Sequence, residues 1–190
     1  KKARRVAIFD IDGTIFRSSL LIELVDGLIA NGIFPRTTEA VYRRAYDRWL
    51  DRKDSYDKYI HAVVVAFEKH IRGVAYKDFV RIAEQVSAFH KDRVYRFTRD
   101  LVRQLKRKNY FLLAISHSPF IAVDRFARAL GFDKVYGRMY EIDETQRFTK
   151  RTLFTDFIND KATVLRRAVA KEGLTLKGSI GVGDSESDIS

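Results

Sequence analysis

The sequence has no cysteine, only two prolines among its 190 residues and no long apolar run. Without cysteine, the chain cannot form disulfides, thiolate zinc sites or a thiol nucleophile. The low proline content, together with only ten glycines, excludes collagen-like and linker-like chains. The longest uninterrupted apolar run, residues 62–67, is far shorter than the roughly 20 residues of a membrane-spanning helix. Because neither a membrane span nor an export signal is visible, the expected location is the cytoplasm.

The composition predicts a folded and strongly basic protein. Hydrophobic residues make up 46% and charged residues 32%, which is ordinary for globular chains and argues against disorder. At about 150 residues per domain, the length corresponds to one domain, or to one domain with an insert. The formal net charge of +11 favours an anionic partner, such as a nucleic acid, a membrane surface or a small anionic substrate. The charge alone does not decide between these classes.

Three short apolar runs predict the strands of a parallel sheet. They cover residues 6–9, 111–115 and 180–183, and each is followed by a polar residue: Asp10, Ser116 and Asp184. Continuous apolar runs suit strands that are buried on both faces, and each run is associated with a helical pattern. The alternation predicts an α/β fold with a doubly wound, Rossmann-like parallel sheet. Ligands of such sheets bind at the carboxyl ends of the strands, where the three polar residues are expected to meet.

The segment from residue 16 to residue 97 has a helical pattern, with breaks at residues 31–32, 35 and 73. We predict that it is an all-α insert after the first strand, packed as a small bundle between two parts of the core, 1–15 and 98–190. Residues 137–149 predict a β-hairpin that projects from the core. Five aromatic residues of the insert are interpreted as its packed seam, with a stacking platform for bases as the alternative: Tyr42, Tyr46, Trp49, Tyr56 and Tyr59.

The most informative short stretch reads Asp-Ile-Asp-Gly-Thr at residues 10–14. Two carboxylates this close repel each other, and the arrangement is stable only with a cation or a shared proton between them. Both can work together only if the strand ends at Asp10, and Gly13 allows the tight turn that must follow. The alternative is an ordinary strand-to-turn junction in which Asp and Gly only serve the turn.

A second acidic cluster lies near the end of the sequence, and Lys161 and Ser116 are two further candidate site residues. Asp188 lies four residues after Asp184, one turn away if a helix starts there. Lys161 falls in the first turn of a predicted helix, where the helix dipole disfavours a cation, and such violations are expected at functional sites. Ser116 precedes a predicted helix start, with Ser118 as the cap and Pro119 as the first helical residue, where free backbone N–H groups can bind phosphate. Ordinary structural roles remain the alternative for each.

Taken in sequence order, these parts resemble the haloacid dehalogenase-like hydrolase superfamily. Its first motif is matched at residues 10–14, its Ser or Thr after the second strand by Ser116, its helix-start lysine by Lys161 and its terminal Gly-Asp-x-x-x-Asp at 183–188. The helical insert after the first motif resembles the cap of the phosphoserine-phosphatase-like subgroup. The resemblance spans the entire chain. Because the superfamily core normally continues past the last motif, we expect the core to extend beyond residue 190.

The resemblance implies a phosphatase that hydrolyses a small phosphate monoester through an aspartyl-phosphate. Asp10 would be the nucleophile, and Asp12 would be the general acid and base. Dehalogenases of the superfamily lack the second Asp, so Asp12 favours a phosphatase. Mg²⁺ would be held by Asp10, the backbone carbonyl of Asp12 and Asp184. Ser116 and Lys161 would complete the catalytic set, Asp188 would position Lys161 or a metal-bound water, and the phosphate would meet Gly13, Arg17, Ser116, His117 and Lys161.

One departure from the family bears on the substrate. Phosphoserine phosphatases carry an acidic residue nine positions after the nucleophile, which meets the amino group of the substrate, and here that position is Ser19. This argues against phosphoserine, and Arg17 favours a more anionic substrate. Two alternatives stay open: a basic module on the same fold that binds nucleic acid or anionic lipid, and a phosphotransferase with an acceptor other than water. The catalytic set disfavours nucleic acid as the partner.

Overall fold

The computed structural model describes residues 3–184. Asp188 therefore lies outside the described residues. The described part forms strands β1 (Arg5–Phe9), β2 (Phe111–Pro119), β3 (Lys134–Ile142), β4 (Phe148–Leu153) and β5 (Thr175–Val182). Its helices are α1 (Leu20–Ala30), α2 (Glu39–Leu50), α3 (Tyr56–His70), α4 (Tyr76–Phe89), α5 (Arg96–Arg107), α6 (Phe120–Ala129), α7 (Thr155–Asn159) and α8 (Lys161–Glu172), with a 3₁₀ turn at Arg36–Thr38. None of these helices is long and apolar enough to cross a membrane.

The strands form one sheet in the order β4-β3-β2-β1-β5. Strand β1 pairs in parallel with β2 and β5, and β2 pairs in parallel with β3. Strand β4 is antiparallel to β3, so these two strands form the predicted hairpin, longer at both ends than expected. The predicted fold class is confirmed, because the mostly parallel sheet carries helices on both faces.

The two faces of the sheet bury alternate residues of the same strands. Ala7, Phe9, Leu112 and Ala114 join the larger apolar cluster, which includes buried residues of α1 to α6. The residues between them, such as Val6 and Leu113, join a smaller cluster against α7 and α8. Burial on both faces explains why the strands appear in the sequence as continuous apolar runs.

Helices α1 to α4 lie between β1 and α5 in the chain. Helix α2 packs against α3, while α4 packs against both α1 and α6. The hydroxyl of Ser87 on α4 donates to the carbonyl of Ala122 on α6 over 3.2 Å. The apolar interior therefore runs without interruption from these helices to the sheet, and the division into core and insert stays a prediction.

The end of β2 corrects one expectation. The strand was expected to end at Ser116 with Ser118 as the helix cap, but it continues to Pro119 with an irregularity in its pairing with β3. Helix α6 starts at Phe120 without a side-chain cap. The Ser118 hydroxyl instead accepts a hydrogen bond from the backbone N–H of Leu21 over 3.2 Å. A contact with α1 therefore replaces the predicted cap.

Candidate active site

Most of the predicted site residues meet at the carboxyl edge of the sheet. A cavity of about 830 Å³ opens there, beneath helices α1, α2 and α3. Its lining includes seven of the residues predicted from the sequence: Asp10, Asp12, Gly13, Arg17, His117, Lys161 and Asp184. The fold thus brings together residues that are more than 170 positions apart in the chain.

Asp10 and Lys161 form a nearly buried ion pair. The Lys161 ammonium donates to Asp10 Oδ1 over 2.8 Å, and the two side chains are only 11% and 10% exposed. Lys161 is the first residue of α8, whose N-cap Asp160 accepts a hydrogen bond from the Thr163 N–H. The negative charge of Asp10 therefore offsets the unfavourable position of the lysine at the positive end of the helix dipole. The ammonium of Lys161 therefore places a positive charge directly beside the Asp10 carboxylate.

Asp12 sits in a different environment, two residues further on. Its Oδ1 accepts from the backbone N–H of Leu20 over 2.6 Å, at the start of α1, and its Oδ2 accepts from the Ser116 hydroxyl over 2.7 Å. Burial raises the pKa of Asp12 above its ordinary value, and the hydrogen bonds from Ser116 and Leu20 only partly oppose this rise. Asp12 therefore holds its proton more tightly than an exposed carboxyl does.

Gly13 makes room for the carboxylate of Asp184. Its φ of +78° is strained for other residues, and a Cβ on Gly13 would lie 2.1 Å from Asp184 Oδ2. The Thr14 hydroxyl donates to Asp184 Oδ1 over 3.2 Å. The turn after β1 thus carries two carboxyl groups of the site, Asp10 and Asp12. Gly13 and Thr14 of the same turn form the recess, here called the cradle, that holds the carboxylate of Asp184.

The remaining predicted residues occupy distinct places. Ser116 is fully buried, and its hydroxyl donates to Asp12 while accepting from the N–H of Ser118. His117 and Arg17 are exposed at the cavity, and the Arg17 guanidinium lies 5.8 Å from the centre of the Tyr95 ring. The placement leaves Ser116 beneath the cavity and Arg17 and His117 at its surface.

Several side chains that line the cavity were not predicted from the sequence. Arg138 reaches it from β3 and donates to Asn159 over 3.1 Å, although no motif marks this strand. Glu23 reaches it from α1, held by Arg93 at 2.6 Å and His90 at 3.1 Å. Glu23 lies one helical turn after Ser19, so a search for acidic residues beyond the family position could have found it.

Comparison with known proteins assigns the chain to a family. The family model described as haloacid dehalogenase-like hydrolase matches residues 7–190. The chain therefore belongs to this hydrolase family, and the predicted resemblance is confirmed.

Individual relatives agree with this assignment. A curated phosphoserine phosphatase of Archaeoglobus fulgidus is 22% identical over 190 residues, covering 98% of this chain and 49% of the relative. The chain thus spans about half the length of the curated relative it matches. Among solved structures, a protein of unknown function from Bordetella pertussis has a TM-score of 0.68 at 18% identity, covering 95% of this chain and 80% of that one. A substrate-bound phosphoserine phosphatase has a TM-score of 0.59 at 14% identity, covering 100% and 81%.

Proposed function

We propose that this protein is a Mg²⁺-dependent phosphatase that hydrolyses a small phosphate monoester through an aspartyl-phosphate on Asp10. The observation that carries the proposal is the contrast between the two carboxyl groups of the first motif. Asp10 is ion-paired with Lys161 at 2.8 Å, whereas burial raises the pKa of Asp12. A nucleophile must be ionised and a general acid must be protonated, so the two environments match the two roles.

The described residues divide the reaction between them. Asp10 attacks the phosphorus, while Asp12 donates its proton to the leaving alcohol and later accepts one from the attacking water. Lys161 offsets the repulsion between the anionic nucleophile and the anionic phosphate. The Ser116 hydroxyl, 2.7 Å from Asp12 Oδ2, orients that carboxyl, and Arg17 and His117 are the proposed contacts of the phosphate at the cavity surface.

The donor set fits Mg²⁺. The Asp10 and Asp184 carboxylates and the Asp12 backbone carbonyl would hold the ion, and Gly13 and Thr14 keep the Asp184 carboxylate in its cradle. Two carboxylates and one backbone carbonyl form an oxygen set with few carboxylates, which is typical of Mg²⁺, an ion that keeps waters and binds substrate phosphate. When bound, the ion neutralises negative charge on the phosphate.

The first experiment tests the nucleophile. Asp10→Asn in the full-length protein should lower kcat for p-nitrophenyl phosphate by roughly a thousandfold or more, because the amide cannot form the aspartyl-phosphate. Removal of Mg²⁺ with a chelator should abolish turnover, and added Mg²⁺ should restore it. Asp124→Asn, which loses an exposed ion pair with Arg128 on α6, is the matched control and should keep its activity. Undiminished turnover by Asp10→Asn would refute the proposal.

The release step distinguishes hydrolysis from phosphotransfer. Both reactions share every step up to the aspartyl-phosphate, so the acceptor decides between them. We expect inorganic phosphate to account for all of the released phosphoryl group in the presence of added alcohols. A phosphorylated alcohol as the main product would instead identify a phosphotransferase.

A further inference from the structure

The α2–α3 helix pair presents four aromatic side chains to the cavity, here called the aromatic wall. They are Tyr46, Trp49, Tyr56 and Tyr59, and all four line the same cavity as Asp10 and Lys161. The same residues pack on one another as the sequence predicted, since Trp49 stacks on Tyr59 with ring centres 5.4 Å apart and an angle of 12°. The predicted seam of the helices is therefore also one side of the candidate active site.

A ligand can contact the rings of the wall from the cavity side but cannot insert between them. Ring centres are 5.2 Å apart for Tyr46 and Tyr59 and 5.5 Å apart for Trp49 and Tyr56, which leaves no space for a further ring. Tyr59 is 5% exposed, at the centre of the cluster, whereas Tyr56 is 39% exposed. A ligand would therefore lie against the cavity side of the wall, in the offset or edge-to-face geometry that aromatic pairs prefer.

The wall lies close enough to the carboxylates for one small molecule to reach both. Tyr56 and the other three residues of the wall line the same cavity as Asp12 and Asp184. The cavity volume of about 830 Å³ falls within the range of roughly 300 to 1,000 Å³ that holds drug-sized ligands. A phosphate at Asp10 and a ring at the wall therefore fit within one cavity.

The charges around the wall argue against an amine on the substrate. The Ser19 hydroxyl accepts from the N–H of Leu21 as the cap of α1. Glu23 is already paired with Arg93 and His90. Outside the catalytic set, the cavity lining carries three guanidinium groups, those of Arg17, Arg93 and Arg138, against two carboxylates, those of Glu23 and Asp57. A neutral ring avoids the repulsion that this positive excess would exert on an ammonium group.

We infer that the substrate is a phosphate monoester whose alcohol carries a neutral aromatic ring, and that the aromatic wall binds this ring. The inference rests on the proposed function, because it places the phosphate of the substrate at Asp10 and assigns the organic group of the same substrate to the aromatic wall.

The test compares primary-alcohol phosphates that differ in what the alcohol carries. For the full-length protein with Mg²⁺, kcat/KM should be higher for 2-phenylethyl phosphate than for ethyl phosphate by on the order of tenfold or more, since filling an apolar pocket has effects of this size. Phosphoserine and phosphocholine should be poorer substrates than 2-phenylethyl phosphate. All four esters release a primary alcohol, so the comparison reports binding of the organic group.

Variants of the wall locate the preference. Trp49→Leu and Tyr56→Leu keep an apolar side chain but remove the ring, and they should bring the ratio of 2-phenylethyl to ethyl phosphate close to one. Tyr56→Phe keeps the ring and should keep the ratio. Phe97→Leu on α5, where the phenylalanine is 77% exposed and outside the cavity lining, is the matched control and should also keep it. Melting temperatures confirm that each variant is folded.

The outcomes separate this inference from the proposed function. Hydrolysis of p-nitrophenyl phosphate together with equal kcat/KM for ethyl and 2-phenylethyl phosphate would overturn the ring inference and leave the phosphatase proposal intact. A preference for phosphocholine or phosphoserine would also overturn it, by showing that the cavity binds an ammonium group. Failure to hydrolyse p-nitrophenyl phosphate and all four primary-alcohol esters would refute both the ring inference and the phosphatase proposal.

Discussion

Asp10 and Asp12 are two positions apart, yet the turn between them sends the two carboxyl groups into different surroundings. Asp10 hydrogen-bonds through its backbone N–H to the Val182 carbonyl, which keeps it beside β5 and the ammonium of Lys161. Asp12 turns away to the start of α1. Neighbouring residues of one chemical type thereby have different partners, an ammonium for Asp10 and a backbone N–H and a hydroxyl for Asp12.

The raised pKa of Asp12 predicts a gain in stability when the carboxyl is removed. The folded chain binds this proton more tightly than the unfolded chain, so the contribution is fully favourable below the ordinary value of 3.8 and is lost as the pH rises through the raised value. Asp12→Asn should therefore have a higher melting temperature than the parent protein at neutral pH, and the difference should shrink toward pH 3.

Asp54→Asn provides a control of opposite sign. Hydrogen bonds from Lys58 and Arg48 lower the pKa of Asp54, so its contribution is present above the ordinary value and is lost as the pH falls through the lowered one. This variant should lose stability at neutral pH. Thermal unfolding from about pH 3 to about pH 8 checks both, and equal pH profiles for Asp12→Asn and the parent protein would contradict the account of Asp12.

The sequence predicted the site residues that belong to recognisable motifs. It did not predict residues that line the cavity only because a long side chain extends into it. Asp10, Lys161 and Asp184 could be predicted because each is unusual for its local position. Arg138 could not, because a long side chain on a strand carries no local sign of the cavity into which it extends. The bond from Ser116 to Asp12 depends on how β1 and β2 align, which the sequence pattern leaves undetermined.

At the element scale, the close approach of β3 to α6 depends on a missing side chain. A Cβ on Gly137 would lie 2.7 Å from the backbone Cα of Phe120 and 3.1 Å from the carbonyl oxygen of Ser118. Real Cβ atoms do not come this close to backbone atoms, so β3 or the start of α6 would have to move. The glycine therefore keeps the segment after Ser116 against the sheet.

Gly137→Ala should destabilise the protein by roughly 1 to 3 kcal/mol, the usual cost of overpacking. The change should be measured as the free energy of unfolding in urea. Gly181→Ala on β5 is the matched control, because a Cβ there meets nothing within 4 Å. Equal unfolding free energies for the two variants would show that β3 and α6 can separate at no cost.

Helix positions were largely predictable at this scale, because apolar residues recur at helical spacing in α1 to α4. The end of β2 was not. Ser118 followed by Pro119 has the local pattern of a helix cap, but the N–H of Leu21 competes for the same hydroxyl. The Ser118 hydroxyl thus bonds to a residue 97 positions away, a contact that the local sequence does not reveal.

One group of positive charges in the molecule lies away from the candidate site. The net charge is +11, while Asp10, Asp12, Asp184 and Lys161 line the candidate site together. Four cationic residues, Arg4, Arg5, Lys108 and Lys177, line a separate cavity of about 720 Å³ near the start of β1, whereas the site lies past its end. Excess charge of this kind attracts anions from a distance without taking part in the reaction.

This separation predicts that salt affects substrate capture more than turnover. Raising NaCl from about 20 to about 200 mM should lower kcat/KM for a phosphate monoester several-fold, because screening weakens long-range attraction. The kcat at saturating substrate should change little, which serves as the internal control. If oligonucleotide binding instead persisted at physiological salt and Mg²⁺-dependent turnover were absent, the alternative of a basic binding module would replace the proposal.

The contact between Thr14 and Asp184 also sets the order in which the site can be completed. It joins residues 170 positions apart, and Asp184 follows the strand that pairs beside β1. During synthesis on the ribosome, Asp10 and Gly13 emerge long before the chain that supplies Asp184. Contacts between residues far apart in the chain form later than local ones, because the entropy of closing the loop is lost before the contact stabilises the chain. Nascent and partly folded chains therefore lack the cradle, and the site is completed only when β5 has docked.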